Sequence, residues 1–227
     1  MKLDDIGRIL RTNDVDINPE RVRKRYRDFA VTMAWGFLER KPYASARERY
    51  FREKCLVQKF YDSGLNTPEL LKTDDENLTL RWRTLELTDL VQIFEDPRIH
   101  PDDKLQYFRE ALEVLSYIHN LSESHGDPYL KNMFRLDRDY PKRKRIYTCD
   151  FEYERTSSDS QVTDLLILTA DAAHLLSHSQ NDQLPAAISA VNEVYGRNLS
   201  FHFTPLDILF FRMRFGMDSQ FFNYFGN

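Results

Sequence analysis

The part of the chain that decides its fold consists of residues 124–136, S-H-G-D-P-Y-L-K-N-M-F-R-L, and residues 146–152, I-Y-T-C-D-F-E. Asp127 and Asn132 are five residues apart, and Asp150 follows 18 residues later at the end of an apolar run. Phosphoryl transfer uses such a set, because one carboxylate accepts the proton of the attacking hydroxyl while an amide and a second carboxylate hold Mg²⁺. Two short strands, at residues 133–136 and 145–148, would bring the three side chains into one cleft.

This pattern resembles the catalytic core of the protein-kinase-like superfamily, H-x-D-x-x-x-x-N followed by D-F-G. His-Gly-Asp at residues 125–127 is similar to the RIO kinases, the small kinase of the KEOPS complex, lipopolysaccharide-core kinases, and aminoglycoside or choline phosphotransferases. The resemblance implies an α+β, bilobal fold in a single kinase-like domain. Its small β-rich amino-terminal lobe would span about residues 1–84, and its helical carboxy-terminal lobe about residues 87–227.

The resemblance implies ATP as substrate and Mg²⁺ as cofactor, with Mn²⁺ as an alternative. Asp127 would be the catalytic base, and Asn132 and Asp150 would bind the metal ion. His125 would pack beneath the catalytic loop and support the site. Asp164 corresponds to the aspartate of the family's helix F, which braces the backbone of that loop.

The family also holds the phosphates of ATP with a strand lysine that pairs with a helix glutamate. Glu53 matches the glutamate, because two aliphatic residues and then Gly64-Leu-Asn-Thr-Pro68 follow it, as in the small atypical kinases. The favoured lysine is Lys24, in a basic strand at residues 22–26, and the alternative is Lys41. Further predicted ATP-binding residues are Lys131, Thr84 and Leu85.

Departures from the family pattern are concentrated around the phosphates and the activation segment. The Gly-rich loop is reduced or absent, because Gly7 stands alone and no G-x-G-x-x-G is present. Glu152 replaces the glycine of D-F-G, and only 13 residues separate Asp150 from Asp164. A long peptide-binding activation segment cannot fit into that interval.

The composition favours a globular protein and argues against a disulfide-rich or membrane-spanning one. The chain has 227 residues, 41% of them hydrophobic, which is enough for a substantial core, and its net charge of -4 gives no global field toward nucleic acid or membrane. The two cysteines form neither a disulfide framework nor a metal-binding motif. The sequence lacks a signal peptide, and its longest apolar run is too short to span a bilayer. We therefore expect a soluble, cytoplasmic protein.

Hydrophobic periodicity predicts the remaining elements. Short strands are expected between Ile6 and Tyr26, with turns at residues 12–14 and 18–19. Helices are expected at residues 44–63, from Pro101 onward, and at 162–176, 184–195 and 205–215, and a strand at 78–83. Thr204 and Asp207 read as a capping box for the helix at 205–215.

Two segments of the sequence could bind a partner, and each also has a purely structural interpretation. The basic run at residues 142–145 is typical of a solvated turn, with contact to RNA, a phosphoprotein or a headgroup as the alternative. The aromatic tail at residues 221–225 is more typical of a terminus docked in the core. Were it exposed, it would be a site for a protein partner.

The function predicted by these features is an atypical serine/threonine protein kinase. One alternative retains the chemistry with a small molecule or a lipopolysaccharide-type glycan as the hydroxyl acceptor. A second alternative is a pseudokinase or nucleotide-binding regulatory module, which the missing Gly-rich loop favours. The intact Asp127, Asn132 and Asp150 argue against that second alternative.

Overall fold

The computed structural model describes most of the chain. The described residues are 13–17, 21–26, 44–83, 87–136, 146–151, 160–177, 184–196, 203, 205–217 and 219–225. Several predictions fall outside them and stay predictions: those for Gly7, Lys41, Thr84, Leu85 and the basic run at residues 142–145.

A four-stranded antiparallel sheet lies in the amino-terminal lobe. Its spatial order is β1 (Asn13–Ile17), β2 (Arg21–Tyr26), β4 (Thr79–Arg83) and β3 (Leu70–Asp74). Lys24 pairs with Val15 on β1 and with Leu80 on β4, so these side chains share one face of the sheet. The turn expected at residues 12–14 is wrong at Asn13, which begins β1, because pairing with β2 overrides its turn propensity.

Helix α1 (Ala46–Asp62) packs against this sheet and begins at a capping box. The Ser45 hydroxyl accepts the Glu48 N–H, and the Glu48 carboxylate accepts the Ser45 N–H at 2.7 Å. The helix ends before Gly64, whose φ of +91° is a conformation that glycine adopts without strain. Tyr50 of α1 completes a small apolar core with Tyr26, Ala46, Leu80 and Trp82.

A second, three-stranded sheet has the order β5 (Leu87–Asp89), β6 (Met133–Leu136) and β7 (Ile146–Thr148). Strand β5 leads directly into helix α2 (Leu90–Glu95), where the Asp89 carboxylate accepts the Gln92 N–H. Hydrophobic periodicity does not predict β5 or α2, because elements of three and six residues are too short to show a period.

The carboxy-terminal lobe is helical. Its core is formed around α4 (Ser160–Ser177), and the other helices are α3 (Pro101–Asn120), α5 (Leu184–Tyr195), α6 (Pro205–Phe215) and α7 (Ser219–Phe225). The aromatic tail forms α7, and Phe221, Phe222 and Phe225 are buried in this core. These rings are therefore not offered to a partner. Thr204 lies outside the described residues, so the capping box with Asp207 stays a prediction.

The length and hydropathy of the helices decide whether any of them could span a membrane. Among those in the described ranges, none is both long enough and apolar enough to pass through a bilayer.

Candidate active site

Lys24 connects three elements at the junction of the two sheets. Its Nζ lies 2.7 Å from Glu53 Oε2 on α1 and 2.5 Å from Asp150 Oδ1, just beyond β7. Lys24 is only 5% exposed and Glu53 is fully buried, so each charge needs the other for compensation. The structure therefore brings together the predicted phosphate-binding lysine, its glutamate and one predicted metal ligand.

The catalytic loop holds Asp127 and Asn132 in direct contact. The Asn132 Nδ2 donates to both the main-chain oxygen and Oδ2 of Asp127, each at 2.9 Å. A single turn of 3-10 helix, Leu130–Asn132, folds the chain back so that the two side chains meet. Because the amide nitrogen faces Asp127, its oxygen is the atom that Asn132 can offer to a cation.

Asp164 on α4 braces the loop from below. Its carboxylate accepts the backbone N–H groups of His125, at 2.6 Å, and Gly126, at 3.1 Å. Gly126 has a φ of +84°, a left-handed conformation that a residue with a Cβ adopts only at a cost. Asp164 thus fixes the backbone that carries Asp127, and the His119 side chain lies 3.5 Å from the same carboxylate.

His125 is fully buried under the loop. Burial lowers the pKa of its imidazole, so the ring is neutral at physiological pH. The Asp127 N–H donates to Nδ1 at 3.3 Å, which assigns the proton to Nε2, and Nε2 then donates to the Thr148 hydroxyl at 2.8 Å. Both nitrogens are occupied in tying the loop to β7, so His125 is not placed for acid–base chemistry.

Asp150 and Phe151 end β7 in a sharp turn. Asp150 has a φ of +71°, and the Phe151 ring packs 5.0 Å from the Phe60 ring and 4.7 Å from the His125 ring. The preceding residue, Cys149, donates its N–H to the main-chain oxygen of Asn132 at 3.1 Å. Burial raises the pKa of the Cys149 thiol well above its usual value. The other cysteine, Cys55, is exposed on α1.

Known proteins resemble this chain in sequence and in fold. No model of a known protein family matches the chain. The KEOPS complex subunit Bud32 of Pyrococcus abyssi (strain GE5 / Orsay) is 24% identical over 152 residues, which cover 66% of this chain and 60% of that protein. The kinase domain of Mycobacterium tuberculosis PknI has a TM-score of 0.50 and 17% identity, covering 77% of this chain and 76% of that domain. The chain is similar in sequence to an atypical kinase and in fold to a protein kinase domain, which supports a kinase-like superfamily member. The predicted α+β, bilobal kinase-like fold of the chain is confirmed.

A MAP kinase of Leishmania major, LMAMPK10, was also compared with this kinase-like protein. It has 19% identity and a TM-score of 0.49, over 99% of this chain and 71% of that structure. The matched segment spans 60% of the length of the curated relative. The PknI comparison shows the fold, and the assignment of roles to individual side chains depends on the site itself.

Two residues of the kinase-like site were not assigned by sequence reasoning. Tyr26 donates its hydroxyl to Glu53 Oε2, the oxygen that also accepts Lys24. Asp171 on α4 accepts the Leu130 N–H at 2.8 Å, and burial raises the pKa of its carboxyl. Spacing carries a signal for both, since Tyr26 lies two residues after Lys24 on a strand and Asp171 lies two helical turns after Asp164.

Lys131 of this kinase-like protein is exposed beside the loop. Its Nζ lies 5.0 Å from the centroid of the Tyr129 ring, and the Arg214 guanidinium lies 5.6 Å from the same ring. Two cations therefore flank one aromatic ring of the catalytic loop. The predicted contact of Lys131 with ATP stays a prediction.

The donors at this site fit a hard cation. Within the described ranges, no group of three or more His, Cys, Asp and Glu side chains forms a metal site by itself. Asp150 and Asn132 offer a carboxylate and an amide oxygen, and Mg²⁺ is commonly bound through one or two such groups with water and substrate phosphates completing the shell. The residues present thus suit Mg²⁺ delivered with a nucleotide better than a preformed all-protein cage.

Proposed function

We propose that this kinase-like protein is an ATP- and Mg²⁺-dependent phosphotransferase that phosphorylates a serine or threonine hydroxyl of a protein. The observation that carries the proposal is Lys24 held between Glu53 and Asp150. Such a lysine, in contact with a helix glutamate and a prospective metal ligand, is the arrangement that phosphoryl transfer requires in this superfamily.

Asp127 is the proposed catalytic base. It is only 3% exposed and its carboxylate is held by the Asn132 amide, so its position is set before a substrate arrives. A positioned carboxylate orients the attacking hydroxyl and accepts its proton. The backbone contacts of Asp164 keep this carboxylate in register with the rest of the site.

Lys24 is the proposed ligand of the α- and β-phosphates. Glu53 is buried and keeps the ammonium group at the mouth of the site, where phosphate oxygens would replace the Asp150 contact. Mg²⁺, when bound, would neutralise charge on the phosphates, with Asp150 and Asn132 as its protein ligands.

A protein acceptor is favoured by the kind of relative that the chain matches. That relative is described as a subunit of a complex, which suggests that this protein also acts on, or beside, another polypeptide. The brief interval between Asp150 and Asp164 leaves little chain for binding an acceptor peptide, so we propose that the acceptor is recognised as a folded protein.

The proposal is tested by incubating the purified protein with γ-³²P-ATP, Mg²⁺ and cell extract, followed by separation of labelled protein from labelled small molecules. Wild type should label a protein band, and Asp127→Ala should lower the rate by roughly 10²-fold or more, the usual scale for a general base. Asp103→Ala, which removes an exposed carboxylate on α3, is the matched control and should retain the wild-type rate.

Three outcomes would contradict parts of the proposal. Equal labelling by Asp127→Ala and wild type would remove Asp127 from the chemistry. Labelling confined to small molecules or glycans would refute the protein acceptor while leaving phosphotransfer in place. Labelling that persists unchanged after chelation of divalent cations would refute the Mg²⁺ requirement.

A further inference from the structure

Glu53 receives two donors from the same strand. Its Oε2 accepts the Lys24 ammonium at 2.7 Å and also the Tyr26 hydroxyl. The two donors are two residues apart on β2, so they project from the same face of the strand. A cation and a neutral hydroxyl thus converge on one buried carboxylate oxygen.

Lys24 alone is a poor partner for Glu53. Its ammonium is shared with Asp150 at 2.5 Å, so one positive charge faces two negative ones. Under the proposed function, phosphate oxygens would draw further on the same ammonium. A buried carboxylate that shares its ammonium partner with a second carboxylate is stabilised by a further donor, which offsets its lost hydration. Tyr26 supplies that donor without adding a charge that would compete for phosphate.

Packing fixes where the Tyr26 hydroxyl lies. The side chain is buried, and its ring meets the Tyr50 ring of α1 edge to face, with centroids 5.6 Å apart at 79°. The Lys24 Nζ lies 5.1 Å from the Tyr26 ring centroid, so ring and hydroxyl both contact members of the pair. A phenylalanine would fill the same space and lack only the hydroxyl, which makes Tyr26→Phe a clean substitution.

We infer that Tyr26 is a positioning residue for nucleotide binding: its hydroxyl holds the Glu53 carboxylate in the orientation that keeps Lys24 available to phosphates. The inference rests on the proposed function, in which Lys24 binds those phosphates. Tyr26 contacts neither the phosphates nor the acceptor and acts through Glu53. It links the sheet to α1 at the buried carboxylate that would continue to hold Lys24 when phosphates replace the Asp150 contact.

The test measures the Kd of Mg-ATP by calorimetric titration for wild type, Tyr26→Phe and Tyr50→Phe. Tyr50 is the matched control, because it is also buried and also donates its hydroxyl to a carboxylate, that of Asp75, away from Lys24. We expect Tyr26→Phe to raise the Kd about tenfold, the scale of a hydrogen bond to a charged group, and Tyr50→Phe to change it less than about twofold.

A double-mutant cycle separates positioning from a general loss of structure. If Tyr26 acts through the Glu53–Lys24 pair, Tyr26→Phe should have almost no further effect on the Kd once Lys24→Ala has removed the ammonium. Equal affinity of wild type and Tyr26→Phe would overturn the inference, as would a tenfold loss that persists in the Lys24→Ala background. Failure of the wild type to bind Mg-ATP would overturn the proposed function, and this inference with it.

Discussion

The two lobes bury their carboxylates in different ways. Glu53, in the amino-terminal lobe, is held by the side chains of Lys24 and Tyr26. Asp164, in the carboxy-terminal lobe, accepts its two shortest hydrogen bonds from the backbone N–H groups of His125 and Gly126, with the His119 side chain farther away at 3.5 Å. A side-chain partner can turn toward a ligand, whereas a backbone partner cannot leave without unfolding the loop. The first arrangement therefore suits a site that responds to nucleotide, and the second suits a fixed platform.

The apolar cores of the two lobes also differ, in this case in size. Among the described residues, five buried side chains form the core between the four-stranded sheet and the start of α1, whereas the core of the carboxy-terminal lobe extends over α2 to α7 and the end of α1. Regions with few buried apolar contacts open at lower free energy than densely packed ones. We therefore expect the amino-terminal lobe to open locally at a lower free energy than the carboxy-terminal lobe, and in this sense to be the softer of the two.

The largest expected effect on stability is that of Asp164→Ala. The substitution leaves two buried backbone N–H groups without their acceptor, which should lower the free energy of unfolding by roughly 3–5 kcal/mol. Urea denaturation measures this loss, with the exposed Asp103→Ala as a control that should stay within about 0.5 kcal/mol of wild type. A loss below about 1 kcal/mol for Asp164→Ala would refute the platform role.

A pair of core substitutions compares the lobes directly. Leu112 lies in the large core and Leu80 in the five-residue core, and both are fully buried. Leu112→Ala should lower the free energy of unfolding by about 3–5 kcal/mol, and Leu80→Ala by about 2–3 kcal/mol, because thinner surroundings collapse more easily into the space left. Urea titrations of both variants make the comparison, and a larger loss for Leu80→Ala would reverse our ranking of the lobes.

His125 should make stability depend on pH. Because burial lowers the pKa of its imidazole below the ordinary 6.5, the unfolded chain binds a proton in a pH range where the native protein does not. The stabilisation is fully present above pH 6.5 and is lost as the pH falls toward the lowered native pKa, by at most about 1.4 kcal/mol per pH unit.

Urea titrations between pH 7.5 and 5.5 measure this dependence. Wild type should lose stability on acidification more steeply than His125→Gln, which cannot take up the proton. Parallel curves for wild type and His125→Gln would contradict the prediction.

The smallest effect is expected at the start of α1. Ser45→Ala removes the hydroxyl that accepts the Glu48 N–H, and the loss of such a cap costs about 1 kcal/mol. Ser45→Asp supplies another capping oxygen and should recover most of that stability. Thermal unfolding of the two variants measures the difference. If the amino-terminal lobe is the softer one, hydrogen exchange in Ser45→Ala should accelerate in α1 and leave α4 unchanged.

The sequence predicts those parts of the fold in which apolar residues repeat regularly over many residues or in which a motif is present. The helices at Ala46–Asp62 and Pro101–Asn120 are predicted from apolar residues at helical spacing and from end signals, and the helix at Ser160–Ser177 from a run at 162–176 that is apolar around most of its circumference. Strand β3, strand β5 and helix α2 were not predicted, because three to six residues show no reliable period.

In the candidate site, too, some features could be predicted from the sequence and others could not. Lys24 and Glu53 are 29 residues apart and were paired through the superfamily pattern, which spacing alone would not have done. The Tyr26 contact with Glu53 and the Asp171 contact with Leu130 depend on how α1 and α4 pack, and single-sequence periodicity gives only the face on which each residue lies. Local chemistry could be predicted, whereas contacts between packed elements required the structure.

The two thiols of the chain differ enough to be told apart by a reagent. Cys149 is half-buried, and the loss of hydration holds the pKa of its thiol well above the usual value, so it remains protonated and a poor nucleophile at neutral pH, whereas Cys55 is exposed. A maleimide dye should therefore attach to Cys55 in the unaltered protein. Since Cys55 follows Glu53 by two residues on the same helix, the dye would report optically on any movement of that helix when nucleotide is added.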